Sequence, residues 1–220
     1  MSISPKKALL QEYALVAGAL ASPARLALLE QLAQGPQRVE ALAGKTGLSV
    51  ANCSQHLQQL RRAALVSGHR DGKAVIYSLT DSTTLKLMAL LATVADRNLA
   101  QVDRILRGLS GGGDLPEPIS RADLAARLAK GSVILLDVRP ADEFAAGHIP
   151  GARNVAPGDI ARIAPTLARD GEIVAYCRGP YCVYAHEAVA ALRVLGFNAR
   201  RLHGGLPDWR ADGRAVQTAA

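Results

Sequence analysis

The chain has 220 residues, 49% of them hydrophobic and 4% aromatic, and a net charge of +7. That length accommodates two ordinary domains with cores built from Leu, Val and Ala, and no run reaches the ~20 apolar residues of a membrane-spanning helix. Three cysteines (Cys53, Cys177 and Cys182) are too few and odd in number for a disulfide framework, which fits a reducing, cytoplasmic setting.

The charge is uneven. Residues 1–110 hold thirteen Lys and Arg against seven Asp and Glu, whereas residues 111–220 hold thirteen against twelve. The basic excess therefore lies in the first half, where a nucleic-acid contact is expected.

Lys6 and Lys7 precede an apolar stretch in the manner of a signal peptide, but Gln11 and Glu12 interrupt it. Leu9, Leu10, Tyr13, Val16, Ala17 and Leu20 recur at helical spacing, which predicts an amphipathic helix over 5–20. Ser22 and Pro23 open a second helix carrying Leu26, Leu29 and Leu32, which Gly35-Pro36 stops. Val39, Leu42 and Ala43 predict a short third helix ending at Gly47. Ser49 caps a fourth, running from Val50 to Ala63. On that helix Val50, Cys53, Leu57 and Leu60 fall on one stripe, which is expected to be buried. Asn52, Gln55, His56, Gln59 and Arg62 take the opposite side. Two helices joined by a tight turn, the second polar and basic outward, make a helix-turn-helix.

Two short strands follow, over 65–79, about an Asp71-Gly72 turn that puts Arg70 and Lys73 at the tip of a wing. Residues 83–108 then predict one long helix, with Leu85, Met88, Leu91, Ala95, Leu99, Val102 and Leu106 on one side. A stripe that long needs a partner, and pairing with the first helix across a two-fold axis makes a homodimer through residues 5–20 and 83–108.

These features resemble the ArsR/SmtB family of winged-helix repressors over about residues 8–108. The resemblance rests on Ala21-Ser22-Pro23-Ala24-Arg25-Leu26, on Ser49-Val50-Ala51-Asn52-Cys53-Ser54-Gln55-His56-Leu57, and on the wing ending Val75-Ile76-Tyr77-Ser78-Leu79. It implies a dimeric repressor of double-stranded operator DNA. The residues placed for DNA contact are Ser49, Asn52, Ser54, Gln55, His56, Gln59, Arg61, Arg62, Arg70 and Lys73. The family's usual metal ligands are replaced: Arg38, Val39 and Glu40 stand where one cysteine site lies, and residues 83–108 contain no His. No metal or cofactor is therefore expected. Cys53, on the buried stripe, reads as a small core residue.

Gly108 to Pro118 is the natural boundary, with flexible Gly and Ser followed by two prolines. It divides the chain into a DNA-binding and dimerisation domain (1–108), a linker (109–118) and a second domain (119–220). In the second, Ser120 caps a helix through Ala129, closed by Gly131. Val133 to Val138 reads as a buried parallel strand, Pro140 to Ala146 as a short helix, and Gly147 to Ala152 as a tight turn. Ile173 to Tyr176 is another buried strand, Val183 to Leu195 a helix and Ala199 to Leu202 a further strand. His148 and His203 sit in turns. The alternation predicts a parallel sheet with helices on both faces, whose site lies at the carboxyl ends of the strands. Cys177 falls there, ahead of a helix N-terminus that favours an anion and hence a thiolate.

This half resembles a single rhodanese domain over about residues 117–214. The carrying residues are Leu136-Asp137-Val138-Arg139-Pro140, Glu143-Phe144, Gly147-His148-Ile149-Pro150-Gly151-Ala152, the Cys177 loop, and Gly204-Gly205-Leu206-Pro207-Asp208-Trp209. The whole is thus an α/β two-domain protein: a mainly-α winged helix-turn-helix followed by an α/β rhodanese-like parallel sheet. The resemblance implies that Cys177 is the catalytic nucleophile, taking sulfane sulfur from thiosulfate, a polysulfide or a persulfide. The loop Arg178, Gly179, Pro180, Tyr181 and Val183 would cradle the charged sulfur, with Arg178 attracting anionic donors at the mouth. Asp137 and Arg139 support the loop as a structural pair, and His186 is read as structural. Where rhodanese loops often carry Arg or another polar residue, this chain has Cys182, a candidate resolving thiol for the Cys177 persulfide or a passive loop cysteine. Val183 stands where a phosphatase needs Arg.

The joined halves read as a DNA-binding transcriptional repressor responsive to reactive sulfur through Cys177. One alternative is a thiosulfate-type sulfurtransferase with a localising DNA-binding domain. Another is a repressor that captures a soft metal or arsenite between Cys177 and Cys182. No membrane partner is expected.

Overall fold

The computed structural model describes residues 4–72, 74–109, 115–179 and 182–218. They form two compact units, Met1–Lys86 and Leu87–Ala220, with the division inside a helix. Lys73, Pro180, Tyr181 and most of the Gly-rich stretch lie outside the described residues.

The first unit opens with helix α1 (Pro5–Leu20), whose first turn is capped by the Ser4 hydroxyl accepting from Lys7 N–H. Helix α2 (Pro23–Ala33) begins at Pro as expected, but Ser22 makes no side-chain cap. Strand β1 (Gln37–Arg38), helix α3 (Val39–Thr46) and helix α4 (Val50–Arg62) follow. Strands β2 (Val66–Asp71) and β3 (Ala74–Leu79) make the wing, and β1 adds to it antiparallel, in the order β1-β3-β2. Leu28, Leu29, Leu42, Cys53, Leu57 and Leu60 are wholly buried and make this unit's core. Each such Leu contributes ~1.5–3 kcal/mol through the water it no longer orders. Val50 departs from the expected stripe. It is 47% exposed, because it sits at the first position of α4, ahead of the turns that pack on α2 and α3.

The expected single helix over 83–108 is two, α5 (Thr83–Asn98) and α6 (Ala100–Leu109). Near the break the Asn98 side-chain amide donates to Val94 C=O at 2.8 Å. A polar side chain that bonds back four residues competes with the helix ladder and bends it.

In the second unit, helix α7 (Arg121–Ala129) is capped by Ser120, whose hydroxyl accepts from Asp123 N–H. Strand β4 (Val133–Asp137), helix α8 (Ala141–Ala146) and strand β5 (Arg153–Asn154) follow. Helix α9 (Ile160–Ile163) lies between two 3-10 turns. Strand β6 (Glu172–Cys177), helix α10 (Tyr184–Val194), strand β7 (Asn198–Gly205) and helix α11 (Leu206–Ala211) complete the unit. His203 therefore lies on a strand and not in a turn.

The sheet is parallel throughout, in the order β5-β4-β6-β7. Every residue of β6 is buried, and the pleat sends alternate side chains to opposite faces. Ile173, Ala175 and Cys177 join Leu136, Val189, Leu192 and Phe197 on one face. Val174 and Tyr176 join Leu124, Leu135, Leu202 and Trp209 on the other. A strand buried on both faces has no polar side, hence the continuous apolar run in the sequence.

Candidate functional site

Strand β6 delivers Cys177 to the carboxyl edge of the sheet, where it is 2% exposed. Cys182 is 7% exposed and lies two residues before α10. Cys182 N–H donates to Gly179 C=O at 3.2 Å. The two sulfurs are joined in a disulfide with the Cα atoms 6.3 Å apart. Gly179, with φ +149°, occupies backbone space that suits only glycine.

Gly205, which the sequence reading named only as part of the rhodanese resemblance and gave no role, backs the Cys177 loop. It pairs with Cys177 across β6 and β7. A Cβ there would lie 2.5 Å from Cys177 C=O and 2.6 Å from Gly179 N. Only a residue without a side chain lets β7 back the loop so closely; the signal in the sequence was the Gly204-Gly205 pair at the end of a strand.

Arg178 does not stand free at a cationic mouth. Its Nε donates to both Glu143 carboxylate oxygens at 3.0 Å and its Nη2 to Oε1 at 2.7 Å, with the side chains 13% and 3% exposed. Its guanidinium also lies 5.6 Å from the Tyr184 ring centre. A bidentate, desolvated pair of this kind fixes geometry. Here it ties the residue after Cys177 to α8 and to the start of α10. The carboxylate neutralises the charge that was expected to draw in anionic donors.

Asp137 and Arg139 are 0% and 1% exposed. Arg139 Nη2 donates to Asp137 Oδ2 at 2.6 Å and to Gly147 C=O at 2.7 Å. Arg139 N–H donates to Asp137 Oδ1. The Tyr176 hydroxyl accepts from Ile149 N–H at 3.0 Å. Burial, and then the Asp137 charge, raise the Tyr176 phenol far above its ordinary value, so it stays protonated. This network anchors the 147–152 turn to the strand residue that precedes Cys177.

His186, in the first turn of α10, is 7% exposed. Its pKa is lowered to about 4, first by burial and second by the Arg201 charge, against a hydrogen bond with the Cys182 backbone. Its Nδ1 has no partner among the described residues. It is neutral at physiological pH.

On the first unit, Ser49 accepts from Asn52 N–H and so caps α4. Asn52, Gln55, Arg61 and Arg62 are exposed on α4, and Arg70 is exposed on the wing. Ser54 and His56 are half-buried. Gln59 is also exposed, but its Oε1 accepts from Arg25 Nη1, whose guanidinium also donates to Gly18 and Ala19 carbonyls at the end of α1. Cys53 is buried, its Sγ 3.7 Å from Val39 C=O. Its thiol pKa is raised, first by burial and second by the Glu40 charge, which suits a core residue and not a reactive one.

A rhodanese-like domain model matches residues 120–212, and a helix-turn-helix domain model matches residues 20–69. The HTH-type transcriptional regulator Rv0324 of Mycobacterium tuberculosis is 41% identical over 215 residues, spanning 98% of this chain and 94% of its own length. A thiosulfate sulfurtransferase of Pseudomonas aeruginosa is 37% identical over 122 residues, 47% of this chain and 45% of that protein. Among solved structures, the homodimeric winged helix-turn-helix DNA-binding domain Mb0332 of Mycobacterium bovis is 38% identical. It covers 45% of this chain and 92% of that one, with a TM-score of 0.42. A wing and recognition helix in one unit, a cysteine loop on a parallel sheet in the other, and a relative alike from end to end place this chain among the ArsR-type HTH transcriptional regulators that carry a C-terminal rhodanese-like domain.

Proposed function

We propose that this regulator is a homodimeric repressor that releases its operator when Cys177 accepts sulfane sulfur. In this reading residues 1–108 bind DNA and dimerise, 109–118 link, and 119–220 receive the sulfur. The single observation that carries it is the position of Cys177. A cysteine ends a buried strand at the carboxyl edge of a parallel sheet, and an eleven-residue helix begins seven positions later, two residues beyond the cysteine bonded to it. The positive end of that helix favours the thiolate of a thiol-reduced loop and the extra negative charge of a persulfide. The reducing compartment expected from the cysteine content keeps Cys177 ready to react.

Sulfur loading changes the charge and shape of the loop, and a repressor responds only if its DNA-bound and free states hold the loaded loop with different free energies. The test is fluorescence anisotropy of the reduced protein on its own upstream DNA, with and without inorganic polysulfide, for wild type and Cys177→Ser. Loss of DNA binding in the wild type alone is the expected result. Unchanged binding in both would sink the sensor reading.

A second reading, a sulfurtransferase localised by its DNA-binding half, draws on the likeness to the Pseudomonas sulfurtransferase. It requires sustained thiocyanate formation from thiosulfate and cyanide, with no effect of sulfur donors on DNA affinity.

A further inference from the structure

We propose that Cys182 is the resolving thiol of this loop: it attacks the Cys177 persulfide, expels the outer sulfur as hydrosulfide and leaves the Cys177–Cys182 disulfide as the sulfur-signalled state. The inference rests on the reading of Cys177 as sulfur acceptor and adds a second reacting residue, a product and a stoichiometry.

Three observations converge. The two sulfurs are bonded in the folded structure, with the Cα atoms 6.3 Å apart, well inside the span that a disulfide bridges without moving the backbone. Both cysteines are nearly sealed from water, at 2% and 7% exposure. Cys182 is held beside Cys177 at an effective concentration that an external thiol in dilute solution does not match. Cys182 also sits just ahead of α10, whose dipole stabilises its thiolate. A bridge over five positions closes a short loop between elements already fixed by β6 and α10, so its chain-entropy gain is at the small end of what disulfides contribute. In a thiol-reducing compartment such bridges are usually catalytic or sensory and not scaffolding.

The chemistry balances with a sulfane-sulfur donor as the only co-reactant. The Cys177 thiolate takes one sulfur from thiosulfate, releasing sulfite, or from a polysulfide, releasing the shortened chain. The Cys182 thiolate then attacks Cys177 Sγ. An Sγ–Sγ bond forms, the bond to the outer sulfur breaks, and its electron pair departs with that sulfur as hydrosulfide. The two thiols lose two electrons and the sulfane sulfur gains them. One thiol proton passes to solvent and the other is carried by the hydrosulfide. Once the bridge closes, Cys177 cannot accept again, so each chain reacts once until an external thiol reopens it. That self-limitation separates a signal from turnover.

The experiment exposes the fully reduced full-length protein to inorganic polysulfide under anaerobic conditions, quenches with an alkylating agent and reads intact mass without reductant. Wild type is expected to pass through a transient persulfide and end as an unalkylated 177–182 bridge, lighter than the dithiol by two hydrogen atoms. Cys182→Ser is expected to stop at the persulfide, carrying one added sulfur that persists at least tenfold longer. Cys182→Ala serves as a second variant, and the thermal transition of each confirms folding. Persulfide that accumulates equally in wild type and both variants, with no bridge, overturns the resolving role and leaves Cys177 as acceptor. A Cys177 that takes up no sulfur in any of them overturns the acceptor reading as well.

Discussion

Asp137 and Arg139 are both withdrawn from solvent and bind each other, with Arg139 also holding Gly147 C=O. Their value to the site is positional, because an unpaired charge at that depth costs far more than the pair gains, which makes the arrangement all-or-none. His186 is held neutral first by its own burial and second by the Arg201 charge, and that gives acid pH a defined effect. Its pKa is about 4 in the folded protein against 6.5 for an ordinary histidine. The unfolded chain therefore takes up a proton as pH falls through 6.5, while the folded one resists until about 4. The stability that His186 contributes is fully present above 6.5 and is lost across that window, a loss of about 3 kcal/mol by pH 4. Replacing His186 with Asn removes this proton uptake. Urea denaturation of wild type and His186→Asn at pH 7 and pH 4 is expected to show a shallower acid loss in the variant. Parallel losses would mean that His186 titrates normally in the fold.

At the scale of elements, those with periodicity or punctuation were legible in the sequence and those without were not. Helix α4 was read nearly to its ends, because Ser49 caps it and Cys53, Leu57 and Leu60 recur on its inner side. The buried strands β4 and β6 showed as continuous apolar runs. Strands β1 and β5 have two residues each and α9 has four, too short to carry any period, so they are fixed only by their neighbours in the fold. The break between α5 and α6 contains neither Gly nor Pro and arises beside an asparagine side chain, a signal that single-sequence reading passes over. The Cys177 loop was legible as chemistry, but Arg178 was misjudged because its partner Glu143 is thirty-five residues away. Ion pairs made through tertiary contact leave no local mark. On α4, Arg61, Arg62 and Gln55 are exposed, and the proposed function assigns the two arginines to phosphates and Gln55 to a base edge. Arg61→Ala with Arg62→Ala is expected to weaken DNA binding evenly across sequences and to flatten its salt dependence by about one unit of slope per lost phosphate contact. Gln55→Ala is expected to cost about 1–3 kcal/mol and to relax preference at one base pair. Anisotropy titrations over a salt series on operator and scrambled DNA separate the two effects. An unchanged salt slope in the double variant would remove those arginines from the interface.

At the scale of the whole molecule, the question is what covers the apolar residues that the chain leaves outside. On α1, Leu9, Leu10 and Tyr13 are 52%, 55% and 60% exposed; on α5, Leu90 and Val94 are 63% and 59% exposed. Isolated exposed leucines need no explanation, but rows of them along two helices do. In the homodimer proposed above, each of these rows is expected to pack against a second copy of the chain, which would present two recognition helices to two half-sites. The basic surplus of residues 1–110 then doubles on one assembly, which strengthens the attraction to DNA without making either half-site tight on its own. In that proposed dimer the second half-site would bind as an intramolecular event, making dimerisation the expected source of affinity. Leu9→Glu with Tyr13→Glu places charges at positions already facing water in the single chain, so folding of the monomer should be kept while pairing is lost. Sedimentation is expected to show the monomer, near 23.1 kDa, and DNA affinity is expected to fall by about a hundredfold or more. A variant that remains a dimer, or a monomer that binds the operator as tightly as wild type, would place the pairing surface elsewhere or detach it from DNA recognition.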